Sequence, residues 1–174
     1  CKKLSGTVSL SEPAPAAGAI VTISDTLAAA LPPATLKFLP GEVTRKFTMK
    51  TVAVAEDTSG DVSVTLGPQT LSRPLTLRRI GLYSLSVSPS TIVGGAGAAG
   101  VARLECAAGP GPITVHLSSS DPSVVVPTVA SIEIPAGATS GGFAVQTSEV
   151  LASASPKVLG NAGGLARSRT IRVV

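Results

Sequence analysis

Short runs in which apolar and polar residues alternate make up most of the chain. Examples are "IVTIS" (20–24), "RKFTMKT" (45–51), "DVSVTL" (61–66), "ITVHLS" (113–118) and "TIRVV" (170–174). A period of two is typical of β-strands with one buried face. Clusters of Pro and Gly, such as "EPAPAAG" (12–18) and "AAGPGP" (107–112), separate the runs and indicate turns. Because no segment sustains a period of 3.6, the sequence predicts an all-β protein.

The second half of the chain repeats the pattern of the first half. Gly6 aligns with Gly100, 94 positions later, and Phe47 aligns with Phe143, 96 positions later. Further aligned pairs are Leu10 and Leu104, Val21 and Val115, Leu36 and Ile132, Arg73 and Arg169, and Leu75 and Ile171. A match that continues to the end of the chain predicts two copies of one domain, at residues 1–80 and 81–174.

Each copy has the size and strand spacing of an immunoglobulin-like β-sandwich, which has about seven short strands in roughly 100 residues. Each copy holds one Cys, and the chain has no Trp, so the Cys and Trp signature of antibody domains is missing. The core must therefore be aliphatic. The predicted fold class is all-β, with two tandem immunoglobulin-like β-sandwich domains.

The first copy is predicted to lack its N-terminal strand. In the second copy the strand-like stretch "GLYSLSVSPSTIVG" (81–94) precedes Gly95, and Gly95 aligns with Cys1. The first domain would then have an open edge with unpaired backbone groups, lined by Leu4, Val8 and Leu10. Three explanations stay open. The chain is a segment of a longer array, or it is a lipoprotein with an unusual edge, or a neighbouring molecule donates the strand.

The chain resembles the bacterial Ig-like domains that recur in tandem in secreted and cell-surface proteins. The segments that carry the resemblance are "LSVSPSTIVGG" (85–95), "VARLECAAGPGPITVHLSSSDPSVVVP" (101–127), "IEIPAGATSGGFAVQT" (132–147) and "TIRV" (170–173). The resemblance covers residues 81–174 and, more loosely, 1–80. It implies a spacer, stalk, adhesin or cell-envelope module, and its motifs contain no catalytic element.

Composition narrows the class of function. Charged residues make up 14% of the chain and aromatic residues 2%, beside 44% hydrophobic residues. This profile suits a secreted or surface protein better than a cytoplasmic enzyme. The net charge of +4 comes from scattered residues, with few aromatics for base stacking, so we expect no nucleic-acid partner.

The two cysteines allow several outcomes. A Cys1–Cys106 disulfide between the domains is one, because the predicted topology brings both residues toward the domain junction. Acylation of Cys1, which would anchor the chain to a membrane, is another and excludes that disulfide. In a third, Cys106 is a small buried apolar residue that shares the inward orientation of Leu104.

Other polar residues offer weak candidates for a site. His116 is the only histidine and is expected to point outward from a sheet. The acidic residues Glu56, Asp57, Asp61 and Asp121 invite a calcium site, but a solvated loop explains them better, since calcium needs six or more oxygens. We expect Arg73 and Arg169 to share a structural role before the last strand of each copy. We therefore predict no catalytic residue, no metal, no cofactor and no small-molecule substrate.

These features together predict a non-enzymatic structural or adhesive module of a bacterial envelope or extracellular protein. It would act as a stiff spacer, or as a self-assembling subunit through β-edge contacts with itself or with other surface proteins. The alternative is a carbohydrate-binding or accessory domain of a secreted hydrolase. With one Tyr and three Phe, however, the chain has little aromatic surface for sugar rings.

Overall fold

The computed structural model describes residues 3–174, which form strands and turns and contain no helix. Among the same residues there is, accordingly, no helix long and apolar enough to span a bilayer. The predicted all-β fold class is confirmed. The chain forms two compact units. The first contains the described residues up to Val52 together with Asp57–Arg78, and the second contains Ala53–Glu56 and Arg79–Val174.

The segment Ala53–Glu56 belongs to the second unit, although the repeat ranges assign it to the first copy. Its backbone explains this placement. The N–H of Ala53 donates to the carbonyl of Ala107 over 3.0 Å, and the N–H of Gly109 donates to the carbonyl of Ala53 over 3.1 Å.

The first unit contains seven strands in two sheets. The strands are β1 (Leu4–Ser9), β2 (Ala19–Asp25), β3 (Ala30–Leu31), β4 (Thr35–Phe38), β5 (Thr44–Thr51), β6 (Thr58–Leu66) and β7 (Gln69–Leu77). One sheet has three strands in the order β1-β5-β3, and the other has four in the order β4-β2-β6-β7. Every neighbouring pair is antiparallel.

The second unit contains ten strands. They are β8 (Leu82–Ser88), β9 (Thr91–Ile92), β10 (Gly97–Leu104), β11 (Ile113–Ser119), β12 (Val125–Pro127), β13 (Ser131–Ile134), β14 (Ser140–Thr147), β15 (Lys157–Ala162), β16 (Leu165–Thr170) and β17 (Arg172–Val173). Two four-stranded sheets have the orders β12-β14-β10-β8 and β13-β11-β15-β16, and β17 pairs with β9 in parallel. Each sheet of the second unit has its counterpart in the first, except for β8 and the β9–β17 pair.

Both cores are aliphatic, as the composition requires. In the second unit one apolar cluster joins the two sheets, and its fully buried members include Val115, Ile134, Val158 and Ile171. In the first unit Phe38 is fully buried. The alternation of buried and exposed residues along β5 and β11 matches the period of two seen in the sequence, because each strand has one core face.

The last hairpin of each unit turns through glycine. Gly67 connects β6 to β7 with a φ of 56°, and Gly163 and Gly164 connect β15 to β16 with φ values of 56° and 77°. Tight hairpin turns need positive φ because their twist then matches that of the strands, and glycine reaches these angles without steric cost.

Candidate functional site

The outer edge of β1 is the most distinctive feature of the first unit. β1 pairs with β5, from Leu4 opposite Met49 to Ser9 opposite Thr44. No other strand of the described residues pairs with β1. Its counterpart β10 pairs with β14 on one side and with β8 on the other. The first unit therefore has an open sheet edge at the place where the second unit has β8.

Backbone groups of alternate β1 residues point toward this edge. The N–H of Leu10 donates to the carbonyl of Val43 over 2.8 Å, on the β5 side. In an antiparallel ladder the hydrogen-bonded residues alternate with residues whose N–H and C=O point the other way. The groups of Ser5, Thr7 and Ser9 thus face the open edge, where they can pair with an added strand.

Leu4, Val8 and Leu10, the residues predicted to line the edge, share the inward face of the β1 segment. Val8 is buried, whereas Leu4 and Leu10 are half-buried. Ser5, Thr7 and Ser9 are exposed on the opposite face. The role of these apolar residues in assembly stays a prediction.

Two adjoining hollows of about 490 and 440 Å³ lie beside β1, between the two sheets of the first unit. They share Val8, Ser9, Val64 and Leu71. We call them together the β1 groove. Its main apolar lining residues are Gly6, Val8, Phe47, Val64, Leu71 and Leu75. An apolar hollow next to unpaired strand backbone is the arrangement that strand addition uses.

In the second unit β8 occupies the corresponding place. Leu82 and Val87 on its inward face are 1% and 4% exposed. Val158 and Ile171, which align with Val62 and Leu75 of the first unit, are fully buried. Val62 and Leu75 are only half-buried. In the second unit β8 packs against β15 and β16, whereas no strand of the described residues lies at that place in the first unit.

The sequence did not point to Val64 and Leu71 as site residues. Both lie on strands β6 and β7, across the sandwich from β1. A signal was present in the repeat, because Val64 aligns with Gly160 and Leu71 aligns with Arg167. At these two positions of the groove wall, the copies differ in the size or polarity of the side chain.

Of the two cysteines, the structure describes Cys106. Cys106 lies two residues after the end of β10, is half-buried, and packs against the apolar cluster of the second unit. Cys1 lies outside the described residues. The Cys1–Cys106 disulfide and the acylation of Cys1 therefore stay predictions.

The predicted polar candidates lie on exposed surface, except for Asp121, which is half-buried. His116 on β11 is exposed between buried Val115 and Leu117, as its position in the alternation indicates. Asp57 accepts a hydrogen bond from Arg78 over 2.9 Å. Asp121 accepts hydrogen bonds from the backbone and the hydroxyl of Ser123. Within residues 3–174, no three His, Cys, Asp or Glu side chains form a group suited to a metal.

Arg73 and Arg169 occupy the same register position in the two units. Arg73 lies opposite Val62 in the β6–β7 pair, and Arg169 lies opposite Val158 in the β15–β16 pair. The sequence analysis placed both before the last strand. Arg169 does precede the last strand of its unit, β17, although it lies within β16, whereas Arg73 lies inside β7, the last strand of the first unit. The reason is that β7 and β16 are exposed edge strands, which lack the apolar alternation that would mark them. Arg73 also lies at the rim of the β1 groove.

One carboxyl group of the first unit has a perturbed pKa. The backbone N–H of Leu39 donates to Glu42 Oε2 over 2.7 Å, and Arg45 Nη1 donates to the same oxygen over 2.8 Å. Both bonds favour the ionised form, so they hold the pKa of Glu42 below its usual value near 4.5, and the bond from Leu39 is the larger cause. Glu42 fixes the turn that leads into β5.

Comparison with known proteins shows a similarity of fold to solved structures of bacterial adhesins. No family model and no curated protein matches the chain. The solved structure of the adhesin InvE from Yersinia pseudotuberculosis is similar with a TM-score of 0.50 and 12% identity, over 99% of this chain and 54% of that chain. The D00-D0 domain of intimin has a TM-score of 0.45 and 8% identity, over 98% of this chain and 100% of that chain.

The chain spans about half the length of the InvE chain that it matches. At 12% identity this likeness concerns the fold alone. The sheet orders and the similarity to InvE lead to the same conclusion. The chain has an all-β, immunoglobulin-like fold.

Proposed function

We propose that the chain is a non-enzymatic structural or adhesive module of a bacterial cell-surface or extracellular protein. Its attachment point is the open edge of β1, to which a strand of a second copy or of another surface protein adds. The observation that carries this proposal is the exposed backbone of Ser5, Thr7 and Ser9 beside the apolar β1 groove. Exposed strand edges are templates for pairing with another chain.

Two further observations support the proposal. The adhesin InvE has a similar fold. All three Phe side chains are buried, and Tyr83 is the exposed aromatic residue of the chain. Sugar-binding surfaces depend on exposed aromatic rings, so no observation favours the carbohydrate-binding alternative.

Site-specific photo-crosslinking in cells that make the protein tests this function. A photo-reactive amino acid replaces Ser9 at the open edge or, as a matched control, Thr22 on β2. Thr22 is also exposed, but its strand pairs with β4 and β6 on its two sides. We expect a protein adduct from position 9, none from position 22, and labelling of the chain in intact cells by a reagent that does not cross membranes.

Two variants of Thr7 connect the adduct to strand pairing. Thr7→Pro removes the outward N–H and is expected to abolish the adduct, whereas Thr7→Val keeps the N–H and is expected to retain it. An adduct that forms equally at positions 9 and 22, or that survives Thr7→Pro, would contradict attachment through the β1 edge. A chain that is inaccessible in intact cells would contradict the surface location.

A further inference from the structure

We propose that the outer face of the second unit binds a zwitterionic ligand of the phosphocholine type, in which an anionic group and a quaternary ammonium group belong to one small headgroup. The site is an open hollow of about 430 Å³, lined by Tyr83, Arg103, Leu104, Glu105 and Thr139. We call it the Tyr83 hollow. It lies in the second unit, away from the β1 groove, so the ligand is a further one beyond the proposed function.

A β-bulge turns Tyr83 toward this hollow. In the pairing of β8 with β10, Ser84 lies opposite Arg103 and Leu82 lies opposite Leu104. Tyr83 between them is therefore an extra residue with no partner on β10. Without the bulge, the alternation along β8 would place Tyr83 inside and Leu82 outside. With it, Leu82 is 1% exposed and Tyr83 is 62% exposed, so the bulge brings the aromatic ring to the surface.

The other sheet of the unit fixes this bulge. Arg167 on β16 donates a hydrogen bond from Nε to the carbonyl of Tyr83 over 3.0 Å. The bond restrains the backbone at the bulge and thereby the direction in which the ring of Tyr83 leaves the strand. An exposed aromatic face attracts cations, and proteins use this attraction to recognise quaternary ammonium groups. The ring of Tyr83 is thus suited to the ammonium part of the ligand.

Two opposite charges line the same hollow. Arg103 and Glu105 are exposed on either side of buried Leu104. Neither has an ion-pair partner among the residues that the structure describes. Residues two apart along a strand are separated by roughly 6.7 Å, which suits a ligand that carries both charges in one headgroup. The Arg103 guanidinium and the Thr139 hydroxyl can donate hydrogen bonds to the anionic group, and the Glu105 carboxylate attracts the ammonium.

The immunoglobulin-like fold does not require these polar groups. The positions of the first unit that align with the three polar residues of β10 and the β14 side carry small or apolar residues, namely Ser9, Ser11 and Val43. No residue of the described first unit corresponds to Tyr83, which belongs to β8. The first unit thus forms its sandwich without the guanidinium, the carboxylate or the ring. The chemistry of the Tyr83 hollow is a property of the second unit alone.

Titration of the intact chain with phosphocholine tests the inference. The chain has one Tyr and no Trp, so its tyrosine fluorescence reports on Tyr83 alone. Choline and inorganic phosphate serve as probes that each carry one of the two charges. We expect phosphocholine to change the fluorescence and to bind at least about fivefold more tightly than either probe, since one exposed cation–π contact or ion pair has an effect of that order.

Variants assign the two halves of the ligand. Amide chemical shifts in NMR spectra give the affinities and show that each variant is folded. Arg103→Gln should weaken binding of phosphocholine and phosphate but not of choline, whereas Glu105→Gln should weaken binding of phosphocholine and choline but not of phosphate. Tyr83→Leu should weaken choline binding, and Tyr83→Phe should retain it. Arg172→Gln, which removes an exposed charge outside the hollow, is the matched control and should leave each affinity unchanged.

Vesicles distinguish two sources of this headgroup. Sedimentation of the chain with phosphatidylcholine vesicles, but not with phosphatidylglycerol vesicles, would support the inference and identify a lipid surface. Binding of phosphocholine without binding to vesicles would support it and indicate a phosphocholine group that is free or attached to a polymer.

Three outcomes would overturn the inference. One is absence of phosphocholine binding at millimolar concentrations. Another is phosphate that binds as tightly as phosphocholine, which would indicate general attraction of anions. The third is an affinity for phosphocholine that Arg103→Gln and Arg172→Gln lower equally.

Discussion

A glycine faces a phenylalanine ring at the same register position in both units. Gly6 lies opposite Phe47, and Gly100 lies opposite Phe143. At either glycine an added Cβ would overlap the ring of the facing Phe. These were the matched pairs on which the sequence repeat rested, so the alignment of Gly with Gly and Phe with Phe has a direct physical cause. The ring covers the glycine backbone and replaces the missing side chain.

We predict that Gly100→Ala destabilises its unit more than Gly6→Ala does. Phe143 is enclosed in a complete sandwich, so its ring cannot move without repacking, and such overpacking costs about 1–3 kcal/mol. Phe47 lines the open β1 groove, into which its ring can shift. Urea unfolding measures the two free energies. Gly142→Ala is the control, since its Cβ would have ordinary contact only. Equal losses at Gly6 and Gly100 would contradict the prediction.

Glu42 provides a residue-scale prediction on pH. The folded protein holds the pKa of Glu42 below 4.5, so this group stabilises the fold above that pH and loses its contribution as pH falls through the lowered pKa. Glu42→Gln should therefore reduce stability at neutral pH, and the difference from wild type should vanish in acid. Urea midpoints at several pH values measure this. Arg45→Gln should remove a smaller part, because the bond from Leu39 is the larger cause. A difference that persists in acid would contradict the assignment.

At the scale of strands, the sequence predicted the elements that have one buried face. The runs "RKFTMKT" and "ITVHLS" coincide closely with β5 and β11, since the packing of the two sheets imposes the alternation. β16 could not be found in this way, because all six of its residues are exposed. Its place is set by the Gly163–Gly164 hairpin and by pairing with β15. Alternation of apolar and polar residues reveals a strand that has one buried face. An exposed edge strand such as β16 has no buried face and therefore shows no such alternation.

The candidate site was predictable in part for the same reason. The inward orientation of Leu4, Val8 and Leu10 followed from alternation and from alignment with the second copy. The opposite wall of the groove did not, because Val64 and Leu71 reach it only through the way the two sheets stack. Strand patterns assign a residue to a face, whereas the residue that it meets across the sandwich depends on tertiary packing.

At the scale of the whole molecule, each unit is an aliphatic sandwich, but the two differ in completeness. In the second unit β8 closes one sheet and packs against β15 and β16, and Val158 and Ile171 are fully buried. The first unit leaves apolar surface open at the β1 groove, and burial of such surface is worth about 25 cal/mol per Å². A strand that enters the groove therefore stabilises the first unit specifically, which links attachment to the stability of that unit.

The Cys1–Cys106 disulfide is a prediction about the whole chain. If it forms, the intact mass rises by two hydrogen atoms on reduction. Cys1→Ser and Cys106→Ser each remove this same bond. The loop that it closes contains the whole first copy and the beginning of the second, so its loss should cost up to about 5 kcal/mol. Mass spectrometry with and without reductant, and urea unfolding of both variants, measure these effects.

The double variant separates the bond from simple packing of Cys106. With a disulfide, Cys1→Ser and Cys106→Ser together should destabilise the chain no more than either alone, because both remove one covalent link. If Cys106 acts only as a small apolar residue beside the core cluster, Cys106→Ser destabilises the chain and Cys1→Ser does not. Acylation of Cys1 would appear as added mass that reductant leaves unchanged, and it would contradict the disulfide.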